Sequence, residues 1–128
     1  MNLLLDTHTF IWWAANPSKL SPDSEAALLD VTNTLYLSLA SIWELQIKLQ
    51  IGKLTLPKPL SNLVQNQQRV NDLHLLTIEP SHIYSLADLP LHHKDPFDRL
   101  IIAQALAEKL TVVSADGKFA AYSVGILW

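Results

Sequence analysis

The feature that most constrains this chain is the way its apolar residues are grouped. Short β-favouring runs at 3–6, 34–38, 73–78, 111–114 and, more weakly, 125–127 alternate with longer segments of helical period. That alternation predicts an α/β fold. The runs lack a clean polar/apolar alternation, as expected of strands covered on both faces in a parallel sheet. Helices are expected at 9–15, 22–30, 38–50, 59–70, 81–86 and 96–109. The last has the clearest signals: Asp95 as N-cap, Pro96 at the first helical position, and an apolar stripe at 97, 100, 101 and 105. Ser21-Pro22 opens the second in the same way, and Gly52 is a natural stop for the third.

At 128 residues the chain fits one domain, 1–128, with no repeat or linker. Hydrophobic residues make up 49% and charged residues 16%, a globular composition. There is no cysteine, no segment near the roughly 20 apolar residues of a membrane span, and no signal-peptide pattern. A soluble intracellular, cytoplasmic protein with no membrane association is therefore expected. The net charge of −3 argues against a nucleic-acid partner only if every acid faces solvent. Were four acids held in a metal site, the rest would no longer outnumber the nine basic side chains.

The acids fall in informative places. In open α/β sheets, ligand sites gather beyond the carboxyl ends of the strands. Asp6 ends the first run, Glu44 lies two turns into the helix after the second, Asp98 sits in the first turn of the strongest helix, and Asp116 follows the fourth run. Four neighbouring carboxylates repel one another unless a hard cation draws them together, and Mg²⁺ or Mn²⁺ takes such ligands. Each also has a plainer reading. Asp6 and Asp95 suit capping, Asp116-Gly117 is a turn dipeptide, Asp98 favours the helix dipole, and Glu44 stands at i, i+4 to Lys48. Two other α/β sites fit poorly. A DxD phosphatase would need an acid where His8 stands, and a phospho-receiver would need a lysine where Ser114-Ala115-Asp116 offers none.

Several stretches together resemble the PIN-domain VapC-type toxins. They are Leu3-Leu4-Leu5-Asp6-Thr7-His8, Ser41-Ile42-Trp43-Glu44-Leu45 with Lys48, the run from His93 through Asp95-Pro96-Phe97-Asp98-Arg99 to Ala105, and Val112-Val113-Ser114-Ala115-Asp116 with Phe119. The resemblance implies a PIN-like three-layer α/β/α fold with a central, mainly parallel sheet. It also implies a Mg²⁺- or Mn²⁺-dependent endoribonuclease acting on RNA, the toxin partner of a small antitoxin protein, and a homodimer. By motif, Asp6, Glu44, Asp98 and Asp116 match the metal-binding acids, with Asp95 and Ser114 as accessory positions. In that reading Lys48, Lys94 and Arg99 are candidates for RNA phosphates, with internal ion pairs or helix-surface charge as their alternative. The competing function is a catalytically weak metal-binding or protein-interaction module. His92 and His93 are expected in a loop, and no HxxxH-type spacing supports Zn²⁺ there. Core packing is the expected role of Trp12, Trp13 and Trp43, with a dimer or antitoxin contact as the alternative. The terminal Trp128 is expected to close a sheet edge.

Overall fold

The computed structural model describes residues 1–128. Five strands, β1 (Asn2–Leu5), β2 (Thr34–Ser38), β3 (His74–Leu76), β4 (Thr111–Val113) and β5 (Ile126–Leu127), form one sheet in the order β3-β2-β1-β4-β5. Every pairing is parallel, so the expectation of a mainly parallel sheet sharpens to an all-parallel one. The helices are α1 (Thr7–Ala15), α2 (Pro22–Leu29), α3 (Leu39–Gln50), α4 (Leu60–Asn71), α5 (Pro80–Ser85) and α6 (Pro96–Glu108). No helix is long and apolar enough to cross a membrane.

The middle strand explains the layering. Leu3, Leu4 and Leu5 are all fully buried, because successive side chains leave opposite faces and both faces are covered. Leu3 and Leu5 join Phe10 of α1, Leu28 of α2, Leu45 of α3 and Leu63 of α4 in one cluster. Leu4 joins Ile101, Ile102 and Ala105 of α6, with Phe119 and Tyr122, in the other. Two cores on either side of one sheet make the three-layer α/β/α arrangement.

Element boundaries moved for local reasons. The first helix begins at Thr7, two residues earlier than expected, because Asp6 is its N-cap and accepts from the Thr9 N–H at 2.8 Å. The third run keeps only three strand residues, since β3 is an edge strand with β2 as its sole neighbour. Helix α6 stops at Glu108 because Lys109 turns left-handed (φ 56°) as its C-cap. Chain order reverses beside β1: β2 and β3 lie to one side, β4 and β5 to the other. The crevice at that switch point opens over the carboxyl ends of β1 and β4.

Candidate metal centre

Asp6 follows β1 directly, and its backbone N–H continues the ladder to the Val113 carbonyl at 3.1 Å. Its carboxylate is 4% exposed and fully engaged. One oxygen takes the Thr9 N–H, and the other takes the Ser114 hydroxyl at 2.6 Å. Ser114 in turn accepts from the Asp116 N–H at 3.0 Å. The accessory serine is thus the link between the ends of β1 and β4, setting Asp6 and the Asp116 turn relative to one another.

Glu44 reaches the same crevice from α3. Here the plainer reading needs revising: Lys48 Nζ does pair with Glu44 at 3.0 Å, but Glu44 is 6% exposed and the pair is not a surface one. The Thr7 hydroxyl lies 2.9 Å from the other Glu44 oxygen and 3.0 Å from Ser41 Oγ. Having one proton, it donates to the carboxylate and accepts from Ser41.

Asp98 comes from the first turn of α6. Asp95 caps that turn, accepting from the N–H groups of Phe97 at 2.8 Å and Asp98 at 3.2 Å. Burial foremost, then the Asp95 carboxylate, push the Asp98 carboxyl up to about 6. His93 pulls it the other way, and Glu44 and Asp6 add to the rise. Acids from β1, α3 and α6 therefore share one electrostatic neighbourhood. Asp116 caps the short 3₁₀ turn Gly117–Ala121, accepting from the Lys118 N–H at 2.9 Å.

His93 is the residue that the sequence reading left out. It lies in a loop, as expected, yet it is 7% exposed, with Nε2 at 2.8 Å from Asp98 and 3.8 Å from Asp116. One atom each from His93, Asp98 and Asp116 lie within 4.8 Å of one another. The Asp98 contact has hydrogen-bond length but not hydrogen-bond direction, so this buried nitrogen lacks a true partner. Nδ1 accepts from the Asp95 N–H at 3.3 Å, which directs Nε2 toward the acids. A histidine two residues before a capping aspartate was the available signal, since a cap pins its preceding loop against the helix. His92, by contrast, is exposed against Tyr122.

The basic candidates separate. Arg99 gives its guanidinium to carbonyls of Pro90 at 2.8 Å, Leu89 at 3.2 Å and Leu86 at 3.4 Å, and to the Tyr122 hydroxyl at 3.3 Å. It fastens the loop before α6 through carbonyls, rather than through an ion pair with the acids or as free helix-surface charge. Lys48 is held by Glu44, whereas Lys94 is exposed and makes no ion pair. The tryptophans also divide. Trp12 and Trp13 pack partly against the core, as expected. Trp43 does not: it is 59% exposed and meets the Phe97 ring edge-on at 5.2 Å. The inward face of α3 runs through Ala40, Ser41, Glu44 and Leu45, which turns Trp43 outward. Trp128 follows the edge strand β5 and packs on Trp12.

The donor set suits a hard divalent cation. Its free atoms are carboxylate oxygens, no thiolate is present, and the repulsion on Asp98 is what a bound cation relieves. A larger cavity of about 610 Å³ lies elsewhere, between α1 and α4, and touches none of these acids.

Comparisons with known proteins bear on the family and the fold. The PIN domain family pattern matches residues 3–125. Ribonuclease VapC22 of Mycobacterium tuberculosis is 30% identical over 115 residues, covering 89% of this chain and 86% of that protein. Among solved structures, VapBC2 from Rickettsia felis, bound to a DNA fragment from its promoter, aligns with a TM-score of 0.70 at 17% identity, over 99% of this chain and 98% of that one. FitAcB from Neisseria gonorrhoeae aligns with a TM-score of 0.65 at 22% identity, over 98% and 96%. At such identities the two structures speak for the fold alone. The family pattern and the M. tuberculosis relative carry the assignment further: this chain belongs to the PIN-domain family.

Proposed function

We propose that this protein is a Mg²⁺- or Mn²⁺-dependent endoribonuclease, the toxin of a toxin–antitoxin pair, held in check by a small antitoxin protein and working as a cytoplasmic homodimer. The observation that carries the catalytic part is the crowding of acids around Asp98, pushed up to about 6 by its burial and by carboxylates from three other positions. The family membership and the ribonuclease name of the M. tuberculosis relative support the choice of RNA. The solved VapBC complexes of similar fold support the choice of partner.

In this reading Asp6, Glu44, Asp98 and Asp116 hold the cation. Bound there, it would supply an activated water and charge stabilisation at the scissile phosphodiester. The rest is work for the chain's own groups. Ser114 sets Asp6 against the Asp116 turn, and Thr7 and Lys48 hold Glu44. His93 turns Nε2 toward Asp98, and Asp95 orients the helix turn that carries that acid. Lys94 is the cation available to a phosphate.

The test is cleavage of RNA by antitoxin-free protein, with Mg²⁺ or Mn²⁺ and with EDTA. Cleavage is expected only with the cation, and Asp98→Asn should lower it by at least about a hundredfold. No metal-dependent cleavage of any RNA tried would leave the metal-binding or interaction module as the better reading.

A further inference from the structure

Beside the acids lies a cleft of about 280 Å³ lined by Asp6, His8, Trp12, Ala115 and Asp116. Its lining combines two carboxylates with two aromatic side chains, and Ala115 adds only a methyl group. We infer that this cleft is a nucleobase subsite, in which one unstacked base of single-stranded RNA lies against the His8 and Trp12 rings while its phosphate faces the cation that Asp6 and Asp116 would hold. The inference rests on the ribonuclease reading and names how that site holds its substrate.

The placement follows from the start of α1. Asp6 caps the helix, so His8 and Trp12, at i and i+4, rise from its first turns on one side. Their ring centroids are 5.8 Å apart with planes inclined by 37°. Trp128, coming from the edge strand, supports the indole at 5.6 Å. The Lys19 ammonium stands 5.9 Å from the same indole. The indole is thus braced by Trp128 beyond β5 and by the Lys19 ammonium over its ring.

Packing alone does not explain these rings. Phe10, two residues before Trp12, is fully buried in the core, while Trp12 stays half-buried and His8 is exposed. The cleft is smaller than the roughly 300–1,000 Å³ of sites that enclose a whole drug-sized ligand, and suits a single planar group. Bases in a duplex keep their faces stacked, so only a single strand can offer one to this shelf. Stacking is sequence-tolerant because every base has a π-face, and His8 is the only non-acidic polar side chain lining the cleft. The subsite therefore favours a base over no base much more than one base over another.

The test compares binding of hexaadenylate RNA and of an abasic ribose-phosphate oligomer of equal length. Fluorescence polarisation with Ca²⁺ reads the affinity, and a gel checks that the oligomer stays intact. Wild type should prefer the base-bearing oligomer by about 5- to 150-fold, the range of one aromatic stack. Trp12→Leu should remove that preference and leave affinity for the abasic oligomer unchanged, while Trp12→Phe keeps most of it. Should Trp12→Leu fail to fold, His8→Ala at an exposed position carries the same test, with a severalfold loss expected for the base-bearing oligomer alone. An unchanged preference in the variants overturns the subsite. So does a variant whose sedimentation changes while its RNA affinity does not, because the rings would then serve a protein contact. Metal-dependent cleavage of long RNA by wild type, run in parallel, judges the ribonuclease reading separately.

Discussion

The two halves of the acid site are built differently. On one side, Asp6 and Glu44 are buried and every carboxylate oxygen has a partner: Thr9, Ser114, Thr7 and Lys48. On the other, Asp98 and Asp116 are more open, with side chains 19% and 37% exposed, and both face the same imidazole without a well-directed hydrogen bond. The first pair is held in place by the protein itself. The second is held by the backbone of its capped turns, and its charge is poorly answered. Under the proposed function, a cation entering the crevice would meet preset ligands on one side and relieve repulsion on the other.

The largest expected effect tests that contrast at Asp98. Cation at a hundredfold excess over its Kd should stabilise wild type by about 2.7 kcal/mol, and Asp98→Asn should lose most of this in thermal unfolding. In EDTA the same variant should melt higher than wild type, less the roughly 0.3–1 kcal/mol that a first-turn negative charge contributes. An equal response to cation in both proteins would break the shared-site picture.

Next comes the preset side. Ser114→Ala removes the hydroxyl that Asp6 accepts from, leaving a buried carboxylate oxygen unpaired. A loss of about 1–3 kcal/mol in denaturant unfolding is expected without metal. Ser114→Thr should restore most of it, and a silent Ser114→Ala would show that the preset half needs no such bracing.

A smaller effect appears with pH in EDTA. The Asp98 carboxyl lies at about 6 in the fold against an ordinary 3.8, so the folded state binds its proton more tightly than the unfolded state does. Stability from this group is complete below a pH of about 4 and is lost as pH rises through about 6. The loss is on the order of 1 kcal/mol once partial exposure is discounted. Melting curves from pH 4 to 7 should show this slope in wild type and not in Asp98→Asn.

The smallest effect belongs to Lys94. Its replacement by alanine should change stability by less than about 0.5 kcal/mol. It should still reduce the salt slope of RNA binding by about one. An unchanged slope would remove Lys94 from the substrate path.

Much of the fold was legible because its signals are local. Leu3-Leu4-Leu5 reads as a strand covered on both faces, and Asp95-Pro96 reads as a helix start, whatever lies around them. The positions of the four acids, after strands and in first turns, could be read from local pattern and by motif. What escaped depended on neighbours distant in sequence. His93 became a site residue because the capped turn of α6 brings its ring between Asp98 and Asp116. Trp43 turned outward because the direction of α3 was set by Glu44 meeting Thr7, 37 residues earlier in the chain. Arg99 was drawn inward by carbonyls of a loop whose path no local pattern describes.

By itself, then, the sequence determined the alternating elements, the parallel sheet, the caps and the set of acids. Each depends on residues within a few positions of one another or on backbone geometry common to all chains. Only the tertiary structure decided which acids are braced and which are left under repulsion, that a histidine joins them, and that Trp12 borders the site while Trp43 turns away. Charge and packing act through space, and the switch point beside β1 brings together groups up to 110 residues apart.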